Sequence, residues 1–228
     1  AIIDDTKIKV LKLTKKGYPI YLHVMGHFIP AEFYKITTPE ELHKYAVKVI
    51  ESTIREKFKI CSQLKGSYIY GIFGLADFKG INSSILSKKF MAYAKAILKL
   101  QDYYPEILEG CCVINAGLLF RAFYSACKIF IDSKTRKKIK VYGAKYQQGL
   151  LEFIDKENLP KFYGGECECP GGCLFSNAGP WKRPNEVEEI IPEDILKRRQ
   201  EINHIMATGK LQVSADDQVK DGVETEDL

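Results

Sequence analysis

The sequence predicts an α/β domain whose sheet is mainly parallel and is flanked by helices. Hydrophobic residues make up 46% and charged residues 28% of the 228 residues, which is the balance of a folded protein with a core and excludes disorder as the main state. Along the chain, short apolar runs of strand length alternate with longer segments of helical period. Such an alternation is typical of strand–helix–strand units, in which successive strands run parallel.

The first predicted elements are a strand pair and a long helix. Residues 7–13 (KIKVLKL) alternate charged and apolar side chains, which predicts a strand with one buried face. A turn at 15–19, which contains Gly and Pro, leads into 20–24, and we expect this segment to be the hairpin partner. Thr38 stands before a proline as an N-cap signal and predicts a helix over 39–59.

The central strand is predicted at 68–75 (YIYGIFGL), an apolar run that we expect to be buried on both faces. A helix over 83–103 follows, with Ser83 and Ser84 as cap signals, and it stops before Pro105. The remaining predicted elements are strands over 111–115 and 138–142 and helices over 118–131, 146–155 and 193–206.

The segment 118–131 (LLFRAFYSACKIFI) is unusually apolar for a helix. Its polar residues Arg121, Ser125 and Lys128 fall on one narrow stripe at helical spacing, and nearly everything around that stripe is apolar. Such a helix is buried in a core, lines an apolar cavity or contacts a membrane. The pattern alone leaves these three alternatives open.

The net charge of +5 is unevenly distributed. Residues 207–228 hold six acids against two lysines and no aromatic residue, so we expect an acidic, disordered tail. The densest basic segment, 128–145, holds seven basic residues against one acid. Such a cluster contacts anionic lipid headgroups or nucleic acid, or it forms a solvated face. Because the aromatic residues lie in apolar runs rather than among these bases, we expect no nucleic-acid partner.

The sequence carries none of the common catalytic signatures. It has no Gly-rich phosphate loop, no G-x-S-x-G and no H-E-x-x-H, so we expect no enzyme and no catalytic residues. The best metal candidate is the run CECPGGC, with Cys167, Cys169 and Cys173. This run lacks C-x-x-C pairs and a near fourth ligand, so we expect a tight loop with packed thiols rather than a metal site. Seven cysteines without a disulfide framework are typical of buried thiols in a reducing cytosol.

Six segments of the chain carry motifs that belong together: 75–80 (LADFKG), 101–106 (QDYYPE), 114–116 (INA), 132–139 (DSKTRKKI), 159–165 (LPKFYGG) and 179–181 (GPW). Together these segments resemble the CRAL-TRIO lipid-binding domains. They follow in family order and spacing, and the match covers roughly residues 7–181. The chain is most similar to the branch of phosphatidylinositol/phosphatidylcholine transfer proteins.

The resemblance implies a CRAL-TRIO-like fold, in which a mixed, mainly parallel sheet and its helices enclose an apolar lipid cavity closed by a mobile gate helix. The resemblance places the gate helix on the apolar segment 118–131. In this family the gate covers the acyl chains when it is closed and contacts the bilayer when it is open. Its apolar residues would be Leu119, Phe120, Phe123, Tyr124, Cys127 and Phe130. The basic residues facing the membrane would be Lys128, Lys134, Arg136 and Lys137, each worth about 1 kcal/mol near an anionic surface.

The resemblance also assigns headgroup positions. The inositol phosphate would contact Glu106, Thr135 and Lys138, with Pro19 near the same site. Tyr21 matches one tyrosine of the site for a second, choline-bearing headgroup. The other positions of that second site carry Val10, Ile50, Ile72 and Gly74, which offer no hydroxyl groups to a choline phosphate.

We therefore expect a cytosolic, monomeric lipid-transfer protein, with phosphatidylinositol as its bound lipid and no other cofactor. It would contact Golgi- or endosomal-type membranes transiently. Two alternatives stay open: a carrier of a sterol or tocopherol-like ligand, and a module that reads membrane phosphoinositides without transfer. We expect the lipid-binding domain over 1–185 without the family's N-terminal helical region, a helical extension over 186–206 and the acidic tail over 207–228.

Overall fold

The computed structural model describes residues 8–26, 33–35, 37–169, 171–174, 176 and 179–181, and the single positions 193, 197, 200 and 204. The chain divides into two units, Ala1–Glu189 and Ile190–Leu228. In the second unit the four described residues are helical and exposed, and Lys197 Nζ lies 3.6 Å from Glu193 Oε1. The predicted tail over 207–228 and the rest of the predicted extension lie outside the described residues.

Within the described residues of the first unit, five strands form one sheet. They are β1 (Ile8–Leu13), β2 (Pro19–Val24), β3 (Ile72–Asp77), β4 (Leu108–Ile114) and β5 (Ile139–Val141). The strands lie in chain order across the sheet; β1 and β2 form an antiparallel hairpin, and the three other pairs are parallel. The prediction of a mixed, mainly parallel sheet is confirmed.

Helices connect the parallel strands. They are α1 (Pro39–Ser52), α2 (Phe58–Lys65), α3 (Lys88–Leu98), α4 (Leu100–Tyr103), α5 (Leu118–Cys127), α6 (Ser133–Lys137) and α7 (Gln147–Phe153). Short 3₁₀ turns lie at Ser83–Leu86, Lys128–Phe130 and Lys161–Tyr163, and a π-helical turn at Thr53–Lys57 joins α1 to α2. Among the described residues, the helices are all too short or too polar to cross a bilayer.

The helix predicted over 39–59 begins at α1 as expected, but the helical backbone continues past residue 59. Thr38 accepts a hydrogen bond from Glu41 N at 3.2 Å, while Glu41 Oε2 accepts one from Thr38 N at 2.9 Å, which forms a reciprocal capping box. The predicted end at residue 59 is wrong. The helical backbone runs through the π turn into α2 and stops at Gly66, whose left-handed φ of 68° suits a residue without a Cβ atom.

Two other element boundaries differ from the predicted ones, one because of a local helix cap and one because of solvent-exposed tyrosines. The predicted helix over 83–103 is broken, since Ser87 caps α3 by accepting a hydrogen bond from Phe90 N at 3.2 Å. The predicted central strand over 68–75 is shifted to β3. Tyr68 is 82% exposed and stacks on Tyr70 outside the sheet, so the aromatic start of that run is not a buried strand.

Three of the motif segments meet at one buried carboxylate. Asp77 closes β3 and is 1% exposed. Its oxygens accept hydrogen bonds from Lys79 N at 2.9 Å, from Asn115 Nδ2 at 2.7 Å and from the Tyr163 hydroxyl at 2.9 Å. A buried charge needs partners of this kind, and they join the loops that follow β3 and β4 to the Lys161–Tyr163 turn.

Candidate functional site

The predicted headgroup residues lie where the parallel strands begin, at the side of the sheet formed by their amino-terminal ends, which we call the amino edge. Pro19 is the first residue of β2, Glu106 stands two residues before β4, and Lys138 comes directly before β5. The Lys138 carbonyl accepts a hydrogen bond from Cys111 N at 3.0 Å, which holds this residue against β4. The strand order therefore brings these three positions, which are far apart in the sequence, to one edge of the sheet.

Glu106 and two lysines form a charged cluster at that edge. Glu106 Oε2 lies 2.8 Å from Lys138 Nζ, and Glu106 Oε1 lies 3.3 Å from Lys134 Nζ. Lys138 Nζ also donates to the Leu108 carbonyl at 2.7 Å. The Lys138 side chain is 24% exposed and the Glu106 side chain 54%, so the cluster opens to solvent on the carboxylate side. The hydrogen bonds from Lys138 and then Lys134 hold the pKa of Glu106 below its ordinary value.

Thr135 lies on α6, one turn before Lys138, and has a different immediate partner. Asp132 caps α6 by accepting hydrogen bonds from Lys134 N at 2.8 Å and Thr135 N at 2.9 Å. The Thr135 hydroxyl is hydrogen-bonded to the same carboxylate, and this bond is the main cause that lowers the pKa of Asp132. Lys138 N donates to the Thr135 carbonyl at 3.0 Å. The structure thus places Thr135 next to the cluster through the backbone, with its hydroxyl turned to Asp132.

The edge also contains Tyr18, which the sequence did not single out. Burial raises the pKa of its hydroxyl, Glu109 raises it further and Lys138 lowers it, so the phenol lies within electrostatic reach of both charges. Together, the ammonium groups of the edge can donate to phosphate oxygens, and the exposed carboxylate can accept from sugar hydroxyls. These are the two kinds of group that an inositol phosphate presents.

Tyr21, the predicted contact of a second headgroup, is buried in the sheet. In register it pairs with Val10 on one side and Gly74 on the other, so three of the assigned positions form one row across the strands. Its hydroxyl is hydrogen-bonded to Thr53 Oγ1 in the π turn, and burial raises the pKa of Tyr21 to about 12. Of the three residues in this row, Tyr21 is the one with a hydroxyl group in its side chain.

A lysine that the sequence did not point to lies beside Tyr21. Lys57 Nζ is 5.8 Å from the centroid of the Tyr21 ring and 5.5 Å from that of Trp181, and burial lowers the pKa of Lys57. Both distances are within the range of a cation–π interaction. Lys57 ends the π turn that separates α1 from α2. A π turn rotates the residues that follow about the helix axis. A regular α-helical period read from the sequence therefore assigns Lys57 to a face of the helix other than the one that contacts Tyr21.

The predicted gate segment forms α5 and the Lys128–Phe130 turn, so the helix ends at Cys127 rather than at 131. Phe120 is buried, with its ring centroid 4.5 Å from that of Phe78, and Cys127 is buried near Met91. The other predicted gate residues are half-buried: Leu119, Phe123, Tyr124 and Phe130. The polar stripe of Arg121, Ser125 and Lys128 is exposed. The helix therefore covers the molecule with its apolar face and shows its polar stripe to water.

The side chain of Gln101 forms two hydrogen bonds with the backbone at the C-terminal end of this segment. Its Nε2 donates to the Phe130 carbonyl, and its Oε1 accepts from Asp132 N at 3.3 Å. The predicted membrane-facing residues on either side of this contact are all exposed: Lys128, Lys134, Arg136 and Lys137. Lys134 differs from the others because it is paired with Glu106.

The comparisons with known proteins agree with this architecture. The model of the CRAL/TRIO domain matches residues 4–165. The phosphatidylinositol/phosphatidylcholine transfer protein SFH11 of Arabidopsis thaliana is 37% identical over 182 residues, which cover 78% of this chain and 48% of that protein. The Sec14 cytosolic factor of Schizosaccharomyces pombe is 37% identical over 165 residues, which cover 72% of this chain and 58% of that protein.

A solved structure shows the same fold. The crystal structure of Sfh5 matches with a TM-score of 0.54 and 20% identity, covering 71% of this chain and 55% of that one. The chain spans about half the length of the curated relatives named here. On the match of the domain model and the identity to these relatives, the chain belongs to the CRAL/TRIO domain family.

Proposed function

We propose that this domain is a lipid-transfer module that extracts a phospholipid from one membrane and delivers it to another, with phosphatidylinositol as its preferred cargo. The observation that carries this proposal is the cluster of Glu106, Lys134 and Lys138 at the amino edge of the sheet. The names of the relatives, a phosphatidylinositol/phosphatidylcholine transfer protein and a cytosolic factor, support it. The domain then acts as a carrier rather than an enzyme.

The bound state of the lipid is stable only if its acyl chains are kept out of contact with water. Each buried CH₂ group contributes about 0.8 kcal/mol, so two long chains need a continuous apolar cover. The amphipathic α5, with Phe120 packed on Phe78 and its polar stripe in water, is a suitable cover that opens where a bilayer replaces the protein contacts. We place this event on a cytosolic membrane surface of Golgi or endosomal type, with the exposed bases of 128–137 against anionic lipid.

For the second headgroup position we propose a ligand other than phosphatidylcholine. The ammonium of Lys57 already occupies the faces of Tyr21 and Trp181, which are the surfaces that a quaternary ammonium would need. A choline there would lie against a like charge. The row of Val10, Tyr21 and Gly74 also offers too few donors for a choline phosphate.

The test is a vesicle-to-vesicle transfer assay combined with native mass spectrometry of the lipid that the purified chain carries. We expect one phosphatidylinositol per chain, and we expect Lys138→Ala to reduce its binding and transfer at least 10-fold. Lys156→Ala is the matched control, because Lys156 also forms an exposed ion pair, with Glu166 Oε1 at 2.8 Å, away from this edge. A bound sterol, or equal transfer by both variants, would refute the proposed cargo site. Vesicle binding without an extracted lipid would refute transfer.

A further inference from the structure

Three thiols converge in the loop that follows the Lys161–Tyr163 turn. Cys167 Sγ lies 3.5 Å from Cys169 Sγ and 3.7 Å from Cys173 Sγ, and all three sulfur atoms are within 4.8 Å of one another. Cys167 and Cys173 are buried and Cys169 is half-buried. The lipid-transfer function proposed above uses none of them.

The spacing of the sulfur atoms fits a metal better than a disulfide. Four thiolates around zinc at about 2.3 Å are separated by edges of about 3.8 Å in a tetrahedron. A disulfide needs about 2.05 Å between its two sulfur atoms, and it leaves a third thiol without a role. The separations of 3.5 Å and 3.7 Å are close to this tetrahedral edge, and both are measured from Cys167 Sγ.

The backbone builds this arrangement. Cys167 is held by a parallel bridge to Pro160, in which Cys167 N donates to the Leu159 carbonyl at 2.9 Å. The chain then turns back, with Gly172 N donating to the Cys169 carbonyl at 2.9 Å. Gly171 and Gly172 have positive φ values of 71° and 86°, which residues with a Cβ atom rarely adopt. This return brings Cys173 onto Cys167 with only five residues between them.

The surroundings suit a soft divalent cation. Three thiolates around a divalent ion leave one net negative charge, and the ammonium of Lys12 is an electrostatic partner of Cys167. The described part of the chain supplies three ligands at this point, and the half-exposed side at Cys169 leaves the fourth position to water. Three protein ligands with a water molecule in the fourth position are the coordination of open zinc sites, so the bound cation would keep one exchangeable position.

We propose that Cys167, Cys169 and Cys173 bind one zinc-class cation, which clips this loop to the Pro160 segment. This metal site differs from the metal-free loop of packed thiols that the sequence pattern predicts. Since Tyr163 links the same turn to Asp77, the cation stabilises the end of the domain through contacts that do not involve the headgroup edge. Failure of lipid transfer would therefore leave this site untouched, and the two proposals are tested separately.

The test uses the full chain, purified under reducing conditions and loaded with zinc or cobalt ions. We expect about one metal per chain by mass spectrometry of elements, a thiolate-to-cobalt charge-transfer band, and three thiols protected from alkylation until a chelator is added. The chelator should also lower the melting temperature by about 5–10 °C. Cys167→Ser and Cys173→Ser should weaken cobalt binding at least 100-fold, while Cys127→Ser, a buried thiol elsewhere, should leave it unchanged.

Two results would overturn the proposal. One is a reduced, folded wild-type chain that takes up no stoichiometric cobalt and shows no charge-transfer band. The other is a stable disulfide between two of the three cysteines in the metal-free chain under cytosolic reducing conditions, detected as a loss of two hydrogen masses. Because both are measured on the wild type, they stand even if the serine variants fail to fold.

Discussion

Asp77 is a single carboxylate on which the loops after two strands and a third, distant segment depend. Its partners come from residues 79, 115 and 163, so an oxygen acceptor at the end of β3 ties together segments that are up to 86 positions apart in the chain. In a buried site each such bond to a charged group contributes about 1.5–3 kcal/mol. At this scale Asp77, Asn115 and Tyr163 have a structural role, while the residues proposed to bind the headgroup lie at the opposite end of the strands.

Removing one hydroxyl from that network tests its energetic weight. Tyr163→Phe keeps the ring but leaves the buried carboxylate with one donor fewer, so we expect the free energy of unfolding to fall by about 1.5–3 kcal/mol in urea titrations. Tyr68→Phe removes a hydroxyl from a side chain that is 82% exposed and should change stability by less than about 0.5 kcal/mol. Equal effects of the two changes would contradict the role given to the Tyr163–Asp77 bond.

Lys57 decides, in our proposal, which headgroup meets Tyr21. Lys57→Met keeps a long apolar side chain and removes the ammonium from the two aromatic faces. A cation–π contact is worth about 0.5–2 kcal/mol, so we expect the ratio of bound phosphatidylcholine to phosphatidylinositol to rise about 2- to 30-fold. The ratio is read by mass spectrometry after incubation with mixed vesicles. Lys59→Met, an exposed lysine two residues further along, is the control, and an unchanged ratio in Lys57→Met would refute the exclusion of choline.

At the scale of elements, α5 combines a buried anchor with two exposed apolar ends. Leu118 at its start is 82% exposed and Ile129 just after its end is 74% exposed, so both ends of the helix present an aliphatic side chain to solvent. A bilayer would remove both from water as the cover opens. We therefore expect Leu118→Asp and Ile129→Asp each to weaken binding to vesicles that contain phosphatidylinositol by about 10-fold, measured by co-sedimentation.

Leu64 offers a matched control for this membrane contact. It is 63% exposed on α2, so Leu64→Asp makes the same chemical change at a site outside the proposed cover. Its vesicle binding should stay near that of the wild type. If all three variants bind equally well, α5 does not contact the bilayer and the apolar ends need another explanation.

The elements also show what a sequence pattern can and cannot predict. The alternation of strands and helices and the Thr38 cap depend on neighbouring residues, and both were predicted. The contact of Lys57 with Tyr21 was not, because it depends on a π turn that changes the helical phase after Ser52. The start of α3 was missed because the two earlier serines form a separate 3₁₀ turn at Ser83–Leu86, after which Ser87 caps α3. The meeting of Cys167 and Cys173 likewise requires a return of the backbone that spacing alone does not specify.

At the scale of the whole molecule, stability in acid depends on His23, a half-buried residue of the sheet whose protonated form is disfavoured by folding. His23 lies in β2 between β1 and β3, paired with Ile8 and Ala76, and burial lowers its pKa from 6.5 to about 4. In the unfolded chain this imidazole takes a proton below pH 6.5, whereas in the folded chain it stays neutral until about pH 4. Between these values the unfolded state therefore binds more protons, and acid favours unfolding.

The sign and the pH window of this effect can be tested directly. The contribution of His23 is fully present above pH 6.5 and is lost as the pH falls from 6.5 toward 4, with a loss of about 2–3 kcal/mol over that interval. Carboxylates such as Glu106, whose pKa is lowered by its lysines, add a loss at lower pH. Urea titrations at pH 7.5, 6 and 5 should show a flatter dependence in His23→Gln than in the wild type, because glutamine does not titrate. If both chains lose the same stability between pH 7.5 and 5, the folded domain accommodates the charged imidazole, and the carboxylates account for the acid sensitivity of the whole molecule.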